Sequence, residues 1–284
     1  MRFSNKFCAF LLVALVMAST TVMAVPYTKY DGVGFSGSGF LFVYHMGVLK
    51  GLQNAEFVPQ RVSKLSGLSG GALVAASQCT KTTPKKTKKE AFAVLEFCSK
   101  DAPYYCFGKL DQVLNGFLEK VIPQGSVRNC DRKLFVDVSR VQNLTGSSCT
   151  DCVPTNLAIK LVSHYRSRAD LITVLRATSF LAQGVSSPSS CTLDLRDKPM
   201  CDGGYANRNI PCPVGSKRCV KVSSYVNPNP SASIYPGMRG ESTLPIPSSM
   251  WNSYSLNAVV INMHKEAIFQ LGLDDAKYWL NQNA

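Results

Sequence analysis

The chain has 284 residues, enough for one large domain or two small ones, and 45% of them are hydrophobic, which supplies a substantial core and excludes a natively disordered polymer. A net charge of +13 makes the surface basic. Past the N-terminal segment no apolar run is long enough to cross a bilayer, so an integral membrane protein is not expected.

Residues 1–24 have the layout of a secretory signal peptide. Arg2 and Lys6 form a positive start, residues 9–18 an apolar run, and Val22-Met23-Ala24 a small-residue cleavage site. Residues 25–284 are then the mature domain. Removal of the leader takes away Arg2, Lys6 and Cys8, which lowers the net charge by two and leaves an even number of cysteines. In a chain bound for the secretory lumen or the exterior, an even cysteine count predicts a disulfide framework, with Cys149 and Cys152 one candidate short bridge. These two also spell C-x-x-C, but no second pair completes a zinc set, and no metal or cofactor is expected. Asn143-Leu144-Thr145 is a glycosylation sequon in keeping with that route.

The mature chain then alternates short strands and helices. Val33 and Phe35 alternate as in a strand and lead into Gly37-Ser38-Gly39. Residues 40–52 are apolar on nearly all sides, as in a buried helix. Residues 61–66 read as a second strand, followed by Gly67-Leu68-Ser69-Gly70-Gly71 and a helix over 72–77. Residues 81–89 read as a lysine-rich loop, and helices are expected over 90–98 and 109–121. Strands follow at 134–138 and 157–162, a helix at 171–181 and a strand at 220–223. Residues 225–250 hold five prolines and predict an ordered irregular crossing or lid. Two closing helices, 256–271 and 274–280, are expected to be separated by a break at Gly272. No linker divides this series, which argues for a single α/β domain.

Gly67-Leu68-Ser69-Gly70-Gly71 fits G-x-S-x-G between a strand and a helix, a nucleophile elbow. The turn is so sharp that the positions flanking the serine must lack bulk, and the serine stands at a helix N-terminus, where amides and the dipole favour developing negative charge. Ser69 needs a base. His45 lies within the apolar helix and reads as a packing residue; His164 reads as solvated; His264 falls inside a helix. Asp202, followed by Gly203 and Gly204, is the better base, because two glycines let backbone turn closely beside the acid. Near the N-terminus two patterns overlap. Gly32, Gly34 and Gly37 spell the dinucleotide fingerprint, with Glu56 at the distance of a ribose-binding acid. Gly37-Ser38-Gly39 reads instead as a backbone nest for an anion.

Together these motifs resemble the patatin-like phospholipase family, over most of the mature chain. GFSGSGFLFVYHMGVLKGL (34–52) resembles its oxyanion segment and following helix, most closely in the branch of adiponutrin and adipose triglyceride lipase. LSGLSGGALVAA (65–76) matches its elbow, LRATSF (175–180) the helix before the acid, DGGYANRNIP (202–211) its D-G-G element, and LGLDDAKYWL (271–280) its closing helix. Plant members carry an arginine in the oxyanion loop where Phe40 and Leu41 stand here, in agreement with the animal-type branch. The resemblance implies a three-layer α/β domain with a mostly parallel central sheet. It also implies a lipid acyl hydrolase working through a Ser69–Asp202 dyad, with the amides of Gly37, Ser38 and Gly39 as the oxyanion hole. The expected partners are a lipid substrate and a lipid–water interface, which the run Lys81, Lys85, Lys86, Lys88 and Lys89 makes an anionic one by its charge. No nucleic-acid partner is expected. The other reading is a secreted storage, defence or interaction protein on the same scaffold with little activity.

Overall fold

The computed structural model describes residues 30–283, apart from 59–61, 101–105, 147, 149–150, 227 and 229–231. The leader predicted over 1–24 and Cys149 lie outside the described residues.

Seven strands form one sheet: β1 (Gly32–Phe35), β2 (Lys64–Gly67), β3 (Leu134–Thr145), β4 (Val153–Val162), β5 (Leu193–Asp194), β6 (Pro199–Cys201) and β7 (Cys219–Val222). Their order is β5-β6-β3-β2-β1-β7, with β4 paired to β3. The central four, β3-β2-β1-β7, are parallel. Every residue of β1 is buried, as expected of a parallel strand covered on both faces. The expected strands 134–138 and 157–162 are the roots of a longer antiparallel hairpin. Beyond Val136, where β2 ends, β3 continues to Thr145 with β4 alongside it. Asn143, in the predicted sequon, is exposed near the hairpin's far end.

The helices that frame the site are α1 (Phe42–Asn54), α2 (Gly70–Cys79), α3 (Pro84–Cys98), α4 (Leu110–Val121), α5 (Arg168–Thr178), the single turn α6 (Gly203–Ala206) and α7 (Ala258–Asn283), and single helical turns also lie at Val127–Cys130 and Ser248–Trp251. They flank the sheet in a three-layer α/β arrangement, as predicted. The predicted break at Gly272 is absent, and α7 runs through it without interruption. Glycine serves a crossing there, not a stop. A Cβ on Gly272 would lie 2.2 Å from the Tyr44 carbonyl oxygen, and one on Gly47 would lie 2.0 Å from that of Phe269. α1 and α7 therefore touch backbone to backbone. That packing outweighs the roughly 1 kcal/mol a helical glycine costs relative to alanine.

Of the lysine-rich stretch only residues 81–83 are loop, and the rest is helix. Thr83 caps α3 by accepting a hydrogen bond from the Lys86 amide, Pro84 occupies the first helical position, and Lys85 to Lys89 are helical. Val94 of this helix reaches the cavity beside Ser69. At ~1.5 Å per residue, Lys85 lies roughly 14 Å back along the axis, away from that cavity. Lys88 is committed to Glu266 at 2.7 Å and to the rings of Phe92 and Phe269. Lys85, Lys86 and Lys89 are exposed.

Among the described residues four disulfides join Cys79 to Cys130, Cys98 to Cys106, Cys152 to Cys191 and Cys212 to Cys219. The proposed Cys149–Cys152 bridge is thus overturned, because the hairpin turn carries Cys152 to the segment that precedes β5. Cys201 is free and buried. The proline-rich stretch 225–250 is a strapped crossing. Arg239 donates to the wholly buried Asp275 at 2.6 Å, the Tyr44 hydroxyl donates to the same carboxylate at 2.9 Å, and the Trp251 indole donates to the Ser224 carbonyl at 2.8 Å.

Candidate active site

β2 ends at Gly67 and α2 begins at Gly70, which leaves Leu68 and Ser69 to make the turn. Ser69 has φ 50° and ψ −134°, a left-handed conformation that costs a non-glycine residue on the order of 1–3 kcal/mol. Tertiary contacts hold it there. The Ser69 amide donates to Thr178 Oγ1 at 2.9 Å, and that hydroxyl donates to the Asp137 carbonyl at 2.5 Å. Thr178, the last residue of α5, is thus a positioning residue. LRATSF marked its segment, but nothing local in the sequence assigned it a role.

The glycine nest packs directly against the elbow. A Cβ on Gly70 would lie 2.2 Å from Ser38 Oγ, so only glycine permits the approach. Gly67 and Gly71 are buried in the same turn. The nest is fastened through its carbonyl groups. Ser36 and Ser224 donate to the Gly37 carbonyl at 2.9 and 3.1 Å, and His45 Nε2 meets the Ser36 carbonyl at 3.1 Å. The amides of Gly37, Ser38 and Gly39 donate to no group among the described residues. Burial pushes His45 down to about 3, so it is neutral and its Nε2–H is the donor. It is a packing residue, as predicted, with Nδ1 left without a partner among the described residues.

Asp202 leaves β6 and caps α6. Its Oδ1 accepts from the Gly204 amide at 2.8 Å, its own amide donates to the Phe180 carbonyl at 2.8 Å, and Ser139 Oγ donates to its carbonyl at 2.7 Å. Gly203 beside it backs onto Asp137, whose carbonyl oxygen lies 2.3 Å from where a Cβ would stand. The carboxyl is 5% exposed. Burial raises its pKa to about 6, against opposing pulls from the Ser69 hydroxyl and the Gly204 amide. Ser69 is therefore close enough to bias Asp202, yet Oδ2 has no partner at hydrogen-bonding distance among the described residues. His164 is an exposed partner of Asp131 at 2.8 Å, and His264 lies on α7; neither lines the cavities that adjoin Ser69.

Two cavities meet this site. One is narrow and apolar; Ser69, Gly39 and Gly70 form part of its wall and Phe40, Phe42, Leu73, Leu110, Leu114 and Leu256 most of the rest. The other is of mixed character and more open, with Gly37, Leu68 and Gly204 joined by Arg208, Ile210, Tyr225, Val226 and Asn252. Among the described residues no group of His, Cys, Asp or Glu could hold a metal ion.

The fold thus brings together a serine on a strained strand–helix elbow, a buried carboxyl, an amide nest and an apolar cleft. Residues 34–214 match the model of the family described as Patatin, patatin-like phospholipase, and the chain belongs to that family. It is accordingly a lipid-directed enzyme of the carboxylic ester hydrolase class. Human patatin-like phospholipase domain-containing protein 4 is 26% identical over 282 residues, covering 90% of this chain and 98% of that protein. Human patatin-like phospholipase domain-containing protein 2 is 28% identical over 195 residues, 66% of this chain and 34% of that protein. Mouse omega-hydroxyceramide transacylase is 27% identical over 189 residues, 63% of this chain and 28% of the relative. The chain thus spans nearly all of the first relative and about a third of the other two. Among solved structures, VipD from Legionella pneumophila covers 70% of this chain and 50% of its own at 12% identity, with a TM-score of 0.39. Residues 37–39 and Glu56 both fall within the span matched by this family, which sets the dinucleotide reading aside.

Proposed function

We propose that the protein hydrolyses the acyl ester bond of glycerolipids, phospholipids or acylglycerols, through a Ser69–Asp202 dyad and an acyl-serine intermediate. The observation that carries the reading is a buried carboxyl with one unpartnered oxygen, set beside a hydroxyl on a strained elbow. Asp202 takes the proton of Ser69 as Oγ attacks the ester carbonyl. The amides of Gly37, Ser38 and Gly39 receive the oxyanion, each donor supplying ~3 kcal/mol to the transition state. Asp202 returns the proton to the departing alcohol. It then deprotonates a water, which attacks the acyl-serine, and it returns that proton to Ser69 Oγ as the fatty acid leaves. The apolar cavity holds the acyl chain during both steps. Four disulfides, the leader and the exposed sequon at Asn143 support a secreted or luminal protein glycosylated there. The exposed Lys85, Lys86 and Lys89 support contact with an anionic lipid surface.

Purified Ser69→Ala is expected to show no ester hydrolysis and no labelling by a fluorophosphonate probe, while His164→Ala and His264→Ala keep most of the wild-type rate. More than a few per cent of activity in folded Ser69→Ala excludes the dyad. A wild type inert to both probe and lipid favours instead a storage or interaction protein on this scaffold. A loss of ~10³-fold in folded His264→Ala points to a histidine triad.

A further inference from the structure

β4 pairs with β3 from Val136 onward and so occupies one edge of it. β2, which pairs up to Val136, and β6, which pairs from Ser139, therefore share the other edge and approach each other end to end. β2 runs on into Leu68 and Ser69, and β6 into Asp202. The two residues thus leave strand ends that converge on a gap beside Asp137 and Val138. Asp137 is 5% exposed and holds both sides of that gap. On the elbow side its carbonyl accepts from Thr178, which in turn holds the Ser69 amide. On the other side Gly203 packs against the same carbonyl, and the Asp137 carboxylate accepts from Asn207 Nδ2 at 2.6 Å. Asn207 closes α6: its amide donates to the Gly203 carbonyl at 3.0 Å, and its Oδ1 accepts from the Asn209 amide at 2.9 Å. A single turn is not stable by itself, so its orientation depends on what fastens it. Ser139 fastens α6 through the Asp202 carbonyl and the Ala206 amide, and Asp137 fastens its far end. Burial pushes the Asp137 carboxyl up and the Asn207 donor pulls it back. No step of the proposed reaction uses this second buried carboxyl.

We propose that Asp137 and Asn207 are positioning residues for the reaction: their hydrogen bond fixes α6 so that the Gly204 amide stays on Oδ1 of Asp202 and Oδ2 is left for the Ser69 proton. Neither residue touches the reacting atoms. The inference rests on the reading of Asp202 as the base. The Gly204 amide is one of the groups that favour the ionised carboxylate, so loosening α6 lifts the Asp202 pKa as well as misplacing the group. The other titratable groups around Asp202 are Cys201, Tyr205 and Tyr225, whose pKa values burial raises, so they stay neutral at neutral pH. Arg208, in the wall of the cavity that Gly204 and Asn207 share, stays charged throughout.

The test measures kcat, KM and the pH dependence of kcat/KM on a short soluble ester, with thermal unfolding alongside, for the wild type, Asn207→Ala, Asn207→Asp and the exchanged pair that combines Asp137→Asn with Asn207→Asp. Asn207→Ala is expected to lower kcat about tenfold with KM nearly unchanged, and to raise the apparent pKa by roughly half a unit or more. Asn207→Asp sets two carboxyls against each other and is expected to be worse on both counts. The exchanged pair restores one amide donor, one carboxylate acceptor and one charge, and the aspartate at position 207 still accepts from the Asn209 amide. It is expected to recover most of the lost kcat and the wild-type pH profile. An apparent pKa that Asn207→Ala leaves unchanged, or an exchanged pair no more active than Asn207→Asp, overturns the inference while leaving the dyad standing. A wild type inert towards both the ester and a fluorophosphonate overturns the underlying reading and this one with it.

Discussion

Asp202→Asn is expected to abolish hydrolysis and at the same time stabilise the protein at neutral pH. The folded carboxyl has a pKa of about 6, against 3.8 for an ordinary aspartate, because burial opposes its charge. The difference corresponds to about 3 kcal/mol. The sign follows from proton counting. Between about pH 4 and pH 6 the native state holds a proton that the unfolded chain has already released, so stability falls as pH rises through this window. Above it, the native state bears the full cost of an ionised, buried Asp202. Asparagine is neutral throughout and bears none of that cost. The difference in unfolding free energy between variant and wild type should therefore grow in the variant's favour by about 3 kcal/mol from pH 3.5 to pH 8, whatever constant difference the amide itself introduces. At pH 8 that increment is roughly 6–12 °C in Tm. Urea unfolding of the oxidised protein, followed by fluorescence of the buried Trp251 and Trp279, measures it at the two pH values. A difference that changes by less than about 1 kcal/mol refutes the argument. The same pKa requires wild-type kcat/KM on a soluble ester to climb with pH through an apparent value near 6, since only the ionised carboxylate can take the Ser69 proton.

Thr178→Val removes the acceptor for the Ser69 amide and a donor to Asp137; we expect a stability loss of ~1–3 kcal/mol and a kcat about tenfold lower with KM nearly unchanged, and wild-type kinetics would show that the elbow holds without it. Four disulfides account for eight of the eleven cysteines, so thiol titration of denatured, unreduced protein should find at most three free thiols, and six or more would contradict the pairing. Changing Lys85, Lys86 and Lys89 to Gln should weaken binding to anionic vesicles at low salt and leave hydrolysis of a short soluble ester unchanged; equal vesicle binding by both proteins would reduce these lysines to a solvated helix end.

What the sequence determined by itself was local. G-x-S-x-G, D-G-G and the nest are backbone demands made within a few residues, since a turn this tight or an approach this close admits only small side chains wherever it occurs. The alternation of short strands and helices followed from periodicity in the same way. Even the start of α3 was written locally in Thr83-Pro84, although the lysines that follow gave the stretch the composition of a loop. Tertiary structure decided whatever depends on residues far apart in the chain. Gly272 reads as a helix breaker until Tyr44 is known to press against it, and Cys152 has a near neighbour in sequence but its partner at Cys191. Thr178 acquires its role because α5 ends where β2 ends, 109 residues earlier. The proposed base combines both kinds of information. Its two following glycines mark Asp202 in the sequence, but its pKa near 6 comes from desolvation, which only the packing of the whole domain around that carboxyl can produce.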